Sequence, residues 1–271
     1  MPAPVGSLAT SGVSDWEGEA IEVGEEIHRA ACPARNSAGE TANTLTARSY
    51  DEQYYKEHAD AGLNYLKYDY WQKSYAAMVT EATLQSSYPD PSVVDAGCAC
   101  GSILKGFKDL SIYKKVLGVD LSNHMVELGR KHFRFIEGDL MAGSIANIPA
   151  ESQSVSLLHS AQVLEQIPDA LVDPILDEFA RVLRPGGRAF LCLDALRNGE
   201  AKEMHMGDPT HLNIQPVLYW TQKLQSRGLY FDIEAYSRFA RSRRGPTRRD
   251  PRSFFEVYSH WSAWTLIRVE P

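Results

Sequence analysis

The sequence has no apolar run long enough to cross a lipid bilayer, and it therefore predicts a soluble chain. It also lacks an excess of basic residues, since 28 Lys and Arg stand against 35 Asp and Glu. The resulting formal charge of −7 opposes non-specific attraction to nucleic acid or to an anionic membrane surface. We therefore expect neither a DNA partner nor a membrane partner.

Cysteine is scarce, and the four residues of this type form no C-x-x-C pair. Cys98 and Cys100 flank a single alanine, while Cys32 and Cys192 stand apart. This spacing favours free thiols in a reducing compartment over a metal site or a disulfide. We therefore expect a cytoplasmic protein with no bound metal.

Large apolar residues are sparse over residues 1–48, where Ala, Gly, Ser, Thr and Pro dominate. No basic segment precedes an apolar stretch, which argues against a secretory signal, and a cluster of glutamates argues against a transit peptide. This composition predicts a flexible tail. A short amphipathic helix through Trp16, Ile21, Val23 and Ile27 is the alternative.

The central part of the chain contains an apolar run, Val93 to Ala96, that leads into a turn of small residues ending at Gly101. A second apolar run follows and ends in Asp120. This order is typical of an open parallel sheet that binds an adenosine-type cofactor. The dinucleotide frame G-x-G-x-x-G does not fit, because Ala99 and Ser102 stand where its second and third glycines belong.

The frame that fits is Asp95-x-Gly97-x-Ala99-x-Gly101. It resembles the first motif of class I S-adenosylmethionine (SAM) dependent methyltransferases, whose usual pattern is D-x-G-x-G-x-G. Ala99 departs from that pattern at the middle glycine, where its methyl group narrows the approach to the cofactor. The resemblance implies that SAM is the cofactor.

Further segments match the same family in the required order. Asp120 matches the acid that accepts hydrogen bonds from both ribose hydroxyls, and Gly138-Asp139-Leu140 resembles the step whose acid binds the adenine amino group. The segment 159–166 resembles the one beside the transferred methyl, and 181–191 resembles the helix, Pro-Gly-Gly turn and fifth strand. The resemblance implies a cofactor site made of Asp95, Gly97, Ala99, Gly101, Asp120, Leu121, Asp139, Leu140, His159 and Ser160.

The fold implied is α/β: a three-layer α/β/α Rossmann-like sandwich with a mostly parallel seven-stranded sheet whose last strand is antiparallel. Residues 89–271 are expected to form this SAM-binding methyltransferase domain. We predict the third strand over 133–137 and the fourth over 154–158, with Ser122 as the N-cap of the helix between the second and third strands. After a helix over 216–225, two β segments are predicted over 229–237 and 254–269.

Residues 49–88 are rich in Tyr and Trp, show helical signals and lack the alternation of a strand. We expect a helical cap, in which the segment 54–71 is a lid that orders on binding. Its rings either form a wall of the acceptor pocket or pack the helices onto the sheet. The expected substrate-binding residues are Tyr54, Tyr65, Trp71, Gln162 and His211.

A general base is needed when the acceptor is a hydroxyl, a thiol or a charged amine, and histidine suits that role near neutral pH. His159 and His211 are the candidate catalytic residues, since the motifs place both near the transferred methyl. His159 is alternatively a buried histidine at the end of a strand. Glu165 either holds an ammonium group or orients a histidine, or it is a carboxylate on a helix surface.

The sequence thus predicts a SAM-dependent methyltransferase that acts on N or O of a small molecule in specialised metabolism, as a monomer or homodimer. An opening bounded by Tyr65, Trp71, His159 and His211 would favour this function. The alternatives are methylation of an RNA or protein held by the Arg-rich segment 238–252, and a SAM-binding subunit without turnover.

Overall fold

The computed structural model describes residues 50–60, 64–68, 70–84, 88–135, 138–196, 210–242 and 261–269. The predicted tail, with Cys32, and most of the Arg-rich segment lie outside the described residues. Within these ranges, no helix combines the length and the apolar character that crossing a membrane requires.

Seven α-helices and seven strands are described in these ranges. The helices are α1 (Glu52–Asp60), α2 (Tyr70–Thr83), α3 (Ser102–Asp109), α4 (Asn123–Phe133), α5 (Asp169–Val182), α6 (Val217–Gln225) and α7 (Ile233–Ala240). The strands are β1 (Ser92–Ala96), β2 (Lys115–Asp120), β3 (Leu140–Ala142), β4 (Val155–Ala161), β5 (Leu183–Asp194), β6 (Leu229–Phe231) and β7 (Trp261–Arg268). A short 3₁₀ turn spans Leu164–Gln166.

The strands form one sheet in the order β3-β2-β1-β4-β5-β7-β6. β1 to β5 are parallel, whereas β7 runs antiparallel to both β5 and β6. From β1 the chain adds β2 and β3 on one side, and it then crosses to add β4 and β5 on the other side, so the strand order reverses between β1 and β4. In such sheets ligands bind in the crevice at this reversal, outside the carboxyl ends of the strands. The predicted fold class is confirmed.

Alternate residues of the central strands face opposite layers, as a pleated strand requires. Val93 and Leu157 pack with the buried faces of α2, α3 and α7. Val94 and Leu158 pack with α5 and α6 on the other face. Burial on both faces explains why these strands read as continuous apolar runs, and it produces the three-layer sandwich.

Two predicted strands are wrong in position. Phe133 ends α4, and Arg134 then adopts a left-handed conformation with φ of 54°. Phe133 and Phe135 are buried together against Met125 of α4, so their alternation reflects packing on a helix and not a strand. The third strand comes later, at Leu140–Ala142.

The other correction lies near the C-terminus of the described chain. The β segment predicted over 229–237 ends at Phe231, and α7 begins at Ile233. Asp232 is the N-cap, and its carboxylate accepts a hydrogen bond from the backbone N–H of Ala235 at 2.9 Å. An acid at this position is a helix-start signal that competes with the apolar alternation.

Candidate functional site

The predicted glycine turn, residues 97–101, follows β1 directly at the reversal of the sheet. Three of its residues have positive φ: 80° at Gly97, 48° at Ala99 and 81° at Gly101. A Cβ at Gly97 would lie 2.3 Å from Val163, so a side chain is excluded there by space as well as by conformation. The backbone N–H groups of Gly97 and Cys98 both point to the carbonyl of Val119, at 2.8 and 3.3 Å.

Asp120 ends the neighbouring strand, and its carboxylate is bound to the glycine turn. Oδ2 accepts a hydrogen bond from Ala99 N at 2.7 Å, and Oδ1 accepts one from Ser122 N at 2.8 Å. Burial raises the pKa of Asp120 above its ordinary value, and these two N–H donors oppose the shift. Each oxygen keeps a further lone pair that can accept from a ligand hydroxyl.

Ser122 begins α4 as predicted. Its hydroxyl oxygen accepts from Met125 N at 3.3 Å, which satisfies one of the free donors at the helix start. The same hydroxyl donates to the carbonyl of Tyr50 at 2.6 Å. The helix start beside Asp120 is thereby connected to the first described residue of the cap.

Asp139 lies away from this end of the sheet, and Leu140 is completely buried beneath Gly101 of the glycine turn. Gly118 pairs with Leu140 and Asp120 with Ala142, so Asp139 precedes the amino end of β3. Its carboxylate forms an ion pair with Lys108, in the last turn of α3. The expectation that these two residues contact the cofactor is corrected accordingly.

Gly143 and Ser144 follow the carboxyl end of β3, and Gly143 N donates to the carbonyl of Asp120 at 2.8 Å. Sequence reasoning missed both, because it placed the third strand several residues too early. The signal in the sequence is Gly143-Ser144, which is a glycine followed by a polar residue, as is the Gly138-Asp139 step that we selected.

The cap lies over the glycine turn. Tyr55 is in edge-to-face contact with Tyr54 and Tyr65, with ring centroids 5.0 Å apart in both pairs. Burial makes the largest contribution to the raised pKa of Tyr55, and the charge of Asp120 makes the second largest. The thiol of Cys100 donates to the carbonyl of Tyr65 at 2.8 Å. Tyr54 and Tyr65 are therefore placed on the Asp120 side of the crevice, and the lid motion stays a prediction.

The thiols of Cys98, Cys100 and Cys192 are free and buried, as the spacing predicted. Burial raises the pKa of Cys100 to about 12 and that of Cys98 well above its ordinary value. Both thiols in the turn are therefore protonated near neutral pH and act as small apolar side chains.

Polar residues gather at the carboxyl ends of β4 and β5. Gln162 follows β4 with φ of 58°, and its N–H donates to the carbonyl of Cys192 at 2.7 Å. Asp194 ends β5, and its Oδ2 lies 3.7 Å from Nδ1 of His211. Glu165 is completely buried, so its alternative as a helix-surface carboxylate is wrong. Asp194 was missed, although an acid at the end of an apolar strand is the signal that identified Asp120.

His159 lies in the core with 1% of its side chain exposed. Nδ1 is 2.7 Å from Asp95 Oδ1, and Nε2 is 3.0 Å from the hydroxyl of Tyr75. With both ring nitrogens engaged, this placement favours a core histidine over a general base. Ser160 is also directed inward, since its hydroxyl donates to the carbonyl of Ala96 at 2.8 Å.

Trp71 stacks on Tyr75, with ring centroids 5.1 Å apart and planes 4° apart. It belongs to α2, whose buried residues pack against one face of the sheet. Since His159 is enclosed behind this helix, it does not bound an opening shared with Tyr65, Trp71 and His211.

The strand order, the glycine turn and the acid at the end of β2 together define the class I methyltransferase fold. The model of the methyltransferase domain family matches residues 93–187. This segment contains β1 to β4, the glycine turn and the start of β5. The identification from the sequence is confirmed for it: residues 93–187 form a methyltransferase domain with the class I fold.

The chain is similar to the demethylmenaquinone methyltransferase of Symbiobacterium thermophilum, with 26% identity over 144 residues that cover 51% of this chain and 55% of the relative. Across the first three curated relatives the match covers 33%, 55% and 36% of the relative's length, so the chain spans one third to about half of each.

Two solved structures share the fold. One was solved in complex with the Haloferax volcanii Trm112 methyltransferase activator; it has 20% identity and a TM-score of 0.53, covering 74% of this chain and 90% of that one. The other is geranyl diphosphate C-methyltransferase from Streptomyces coelicolor A3(2), with 17% identity and a TM-score of 0.50, covering 72% of this chain and 78% of that one.

Proposed function

We propose that this protein is a SAM-dependent methyltransferase that transfers a methyl group to N or O of a small-molecule acceptor in specialised metabolism. The observation that carries the proposal is the buried carboxylate of Asp120, bound to the N–H of Ala99 beside the reversal of the sheet. A cytoplasmic location and a monomeric or homodimeric state stay predictions.

The residues at this crevice fit a sulfonium nucleoside. Asp120 is an acceptor for two adjacent ribose hydroxyls, and Gly97 and Ala99 let the methionine end approach the backbone. Leu121 follows the same strand, and Ser144, after β3, can accept from the adenine amino group in place of Asp139. When bound, SAM would supply an electrophilic methyl group, so the protein's own contribution is to position the acceptor and exclude water.

His211 is the proposed general base. Asp194 lies 3.7 Å from its Nδ1, so the carboxylate can orient the ring while the other ring nitrogen takes a proton from the acceptor. Gln162, which follows β4, and Trp71 on α2 are proposed to bound the acceptor. Tyr54 and Tyr65 complete the covered side of the crevice.

A small acceptor is favoured over RNA or protein by the use that the fold makes of its arginines. Arg238 donates to the carbonyl of Ala82 at 3.0 Å through Nε, and Arg241 donates to the carbonyl of Ser237 within its own helix. The structure thus describes two of the seven arginines of this segment, and both donate to backbone carbonyls, although the side chain of Arg238 is still 44% exposed. The other five lie outside the described residues. Two of the similar proteins are named for small acceptors, demethylmenaquinone and geranyl diphosphate.

The proposal is tested by calorimetric titration of the full chain with SAM. Asp120→Asn is expected to weaken binding by roughly 10- to 100-fold, because it removes a charged acceptor of two hydrogen bonds. Asp232→Asn is the matched control: the side chain of Asp232 is only 9% exposed and also accepts a backbone N–H, but it binds Arg188, six residues before the carboxyl end of β5. It should lower stability and leave SAM affinity unchanged.

The affinity for SAM should also depend on pH with a defined sign. Only ionised Asp120 accepts from both hydroxyls, and its pKa is raised by burial. Affinity is therefore expected to fall as the pH decreases through this pKa, beginning at a higher pH than for an exposed aspartate, and Asp120→Asn should remove the dependence. Wild-type protein that does not bind SAM contradicts the proposal. Release of S-adenosylhomocysteine with amine or hydroxyl metabolites distinguishes an enzyme from a non-catalytic SAM-binding subunit.

A further inference from the structure

Three buried side chains from three different elements are hydrogen-bonded in series behind the glycine turn. The hydroxyl of Tyr75 on α2 lies 3.0 Å from Nε2 of His159 on β4, and Nδ1 of the same ring lies 2.7 Å from Oδ1 of Asp95 on β1. The exposed fractions of the three residues are 2%, 1% and 2%. This Tyr75-His159-Asp95 chain is not used by the proposed chemistry.

The chain has a self-consistent set of hydrogen bonds. With Asp95 ionised and the ring of His159 neutral, Nδ1–H donates a hydrogen bond to Asp95, and Nε2 accepts one from the hydroxyl of Tyr75. Phe190 stacks on the imidazole with planes 12° apart, which fixes the orientation of the ring. A buried polar network with every member bonded restricts its residues to one arrangement.

One end of the chain fixes the start of the glycine turn. Asp95 and Ala96 are the last two residues of β1, and Gly97 follows directly. β4 binds both of them: His159 holds the carboxylate of Asp95, and Ser160 donates to the carbonyl of Ala96 at 2.8 Å. The charge of Asp95 also contributes to the raised pKa of Asp120.

The other end of the chain lies under the predicted acceptor wall. Tyr75 carries Trp71 stacked on its ring, one helical turn earlier on α2. A displacement of Trp71 therefore acts on the ring of Tyr75, and the hydroxyl of Tyr75 is hydrogen-bonded to His159.

We propose that Tyr75 and His159 are positioning residues: they hold Asp95, and with it the glycine turn, in the conformation that binds the cofactor, and they connect Trp71 to that turn. This inference rests on the proposed function, because it assigns the glycine turn to SAM. It gives His159 a role through Asp95 and not through contact with the acceptor.

Tyr75→Phe is the test, and Tyr113→Phe is its matched control. Each variant removes one buried tyrosine hydroxyl whose hydrogen bond involves α2. Tyr75 belongs to this helix, and the hydroxyl of Tyr113 lies 2.9 Å from Oγ1 of Thr80 on the same helix. Both rings are otherwise preserved, so the two variants should lose a similar amount of thermal stability. We expect Tyr75→Phe alone to weaken SAM binding, by about 3- to 10-fold, while Tyr113→Phe stays within about twofold of wild type.

A double-mutant cycle adds a second readout. Asp95→Asn cuts the same chain at its other end, so the Tyr75→Phe, Asp95→Asn double variant should bind SAM no more weakly than the weaker-binding single variant. Equal SAM affinity of Tyr75→Phe and Tyr113→Phe, or full additivity in the cycle, would overturn the inference. If wild type itself does not bind SAM, the proposed function fails first, and the two failures are thereby distinguished.

Discussion

Ala99 is the residue at which the methyltransferase domain departs from the usual glycine pattern of class I methyltransferases, and the structure places it in the left-handed region with φ of 48°. An L-residue with a Cβ pays roughly 1 kcal/mol or more in that region. The backbone N–H of Ala99 nonetheless donates to Asp120. The departure therefore leaves the hydrogen bond between the glycine turn and Asp120 in place, at a cost in stability.

Ala99→Gly should increase the free energy of unfolding by about 0.5–1 kcal/mol, because relief of the left-handed strain outweighs the greater freedom of glycine in the unfolded chain. Chemical denaturation measures the change. Gln153→Gly is the control, since Gln153 is exposed and has φ of 56° outside the site. Both variants should gain stability, and only Ala99→Gly should change SAM affinity. A loss of stability in Ala99→Gly would refute the strain argument.

His159 shows what the sequence cannot specify at this scale. Two features of His159 were predictable: it lies at the end of an apolar strand, and it lies close to the glycine turn. Whether its ring faces the crevice or the core depends on two partners, Asp95 and Tyr75, which lie 64 and 84 residues away in the chain. Local patterns contain no information on such a pairing.

Among the elements, α4 packs unusually close to the glycine turn, and Gly129 makes this possible. A Cβ at Gly129 would lie 2.1 Å from the backbone carbonyl oxygen of Cys100. The obstacle is backbone and not the end of a flexible side chain, so it moves only if the turn or the helix moves.

Gly129→Ala tests this contact because two effects have opposite signs. Helix propensity alone predicts a gain of about 1 kcal/mol, whereas overpacking costs about 1–3 kcal/mol. We expect the clash to dominate, so that Gly129→Ala lowers both the denaturation midpoint and the affinity for SAM. Lys131→Ala, exposed on the same helix, should change neither by much. A more stable Gly129→Ala protein would show that α4 shifts away from the turn at little cost.

Element identity was predictable where one strong signal acted alone. The glycine turn, the N-cap at Ser122 and the helix over 216–225 were each specified by local chemistry, and the structure confirms them. The third strand failed because Phe133 and Phe135 alternate like a strand while packing on a helix. That error led the sequence analysis to select Asp139, which precedes β3, and not Ser144, which follows the carboxyl end of this strand.

For the whole molecule, the sheet was predicted from the resemblance of the ordered motifs to class I methyltransferases, and the observed strand order agrees with that expectation. How the cap contacts the sheet was not predictable. Those contacts use backbone groups, such as the carbonyls of Tyr50 and Tyr65, which accept from Ser122 and Cys100. Backbone carbonyls are present at every residue and leave no trace in sequence.

Removal of residues 1–48 tests the predicted boundary of the folded part. The described core clusters draw all their buried members from residues between Tyr75 and Leu266, and the first described cap contact is made by Tyr50. The truncated chain should therefore unfold within about 2 °C of the full chain, less than the shift expected for 1 kcal/mol, and bind SAM with the same affinity.

Removal of residues 1–68 is the contrasting variant: it takes away Tyr50, Tyr55 and Tyr65 from the covered side of the crevice and should weaken SAM binding markedly. Differential scanning calorimetry and SAM titration measure both, and a large fall in the melting temperature of the shorter truncation would show that the first 48 residues pack against the domain.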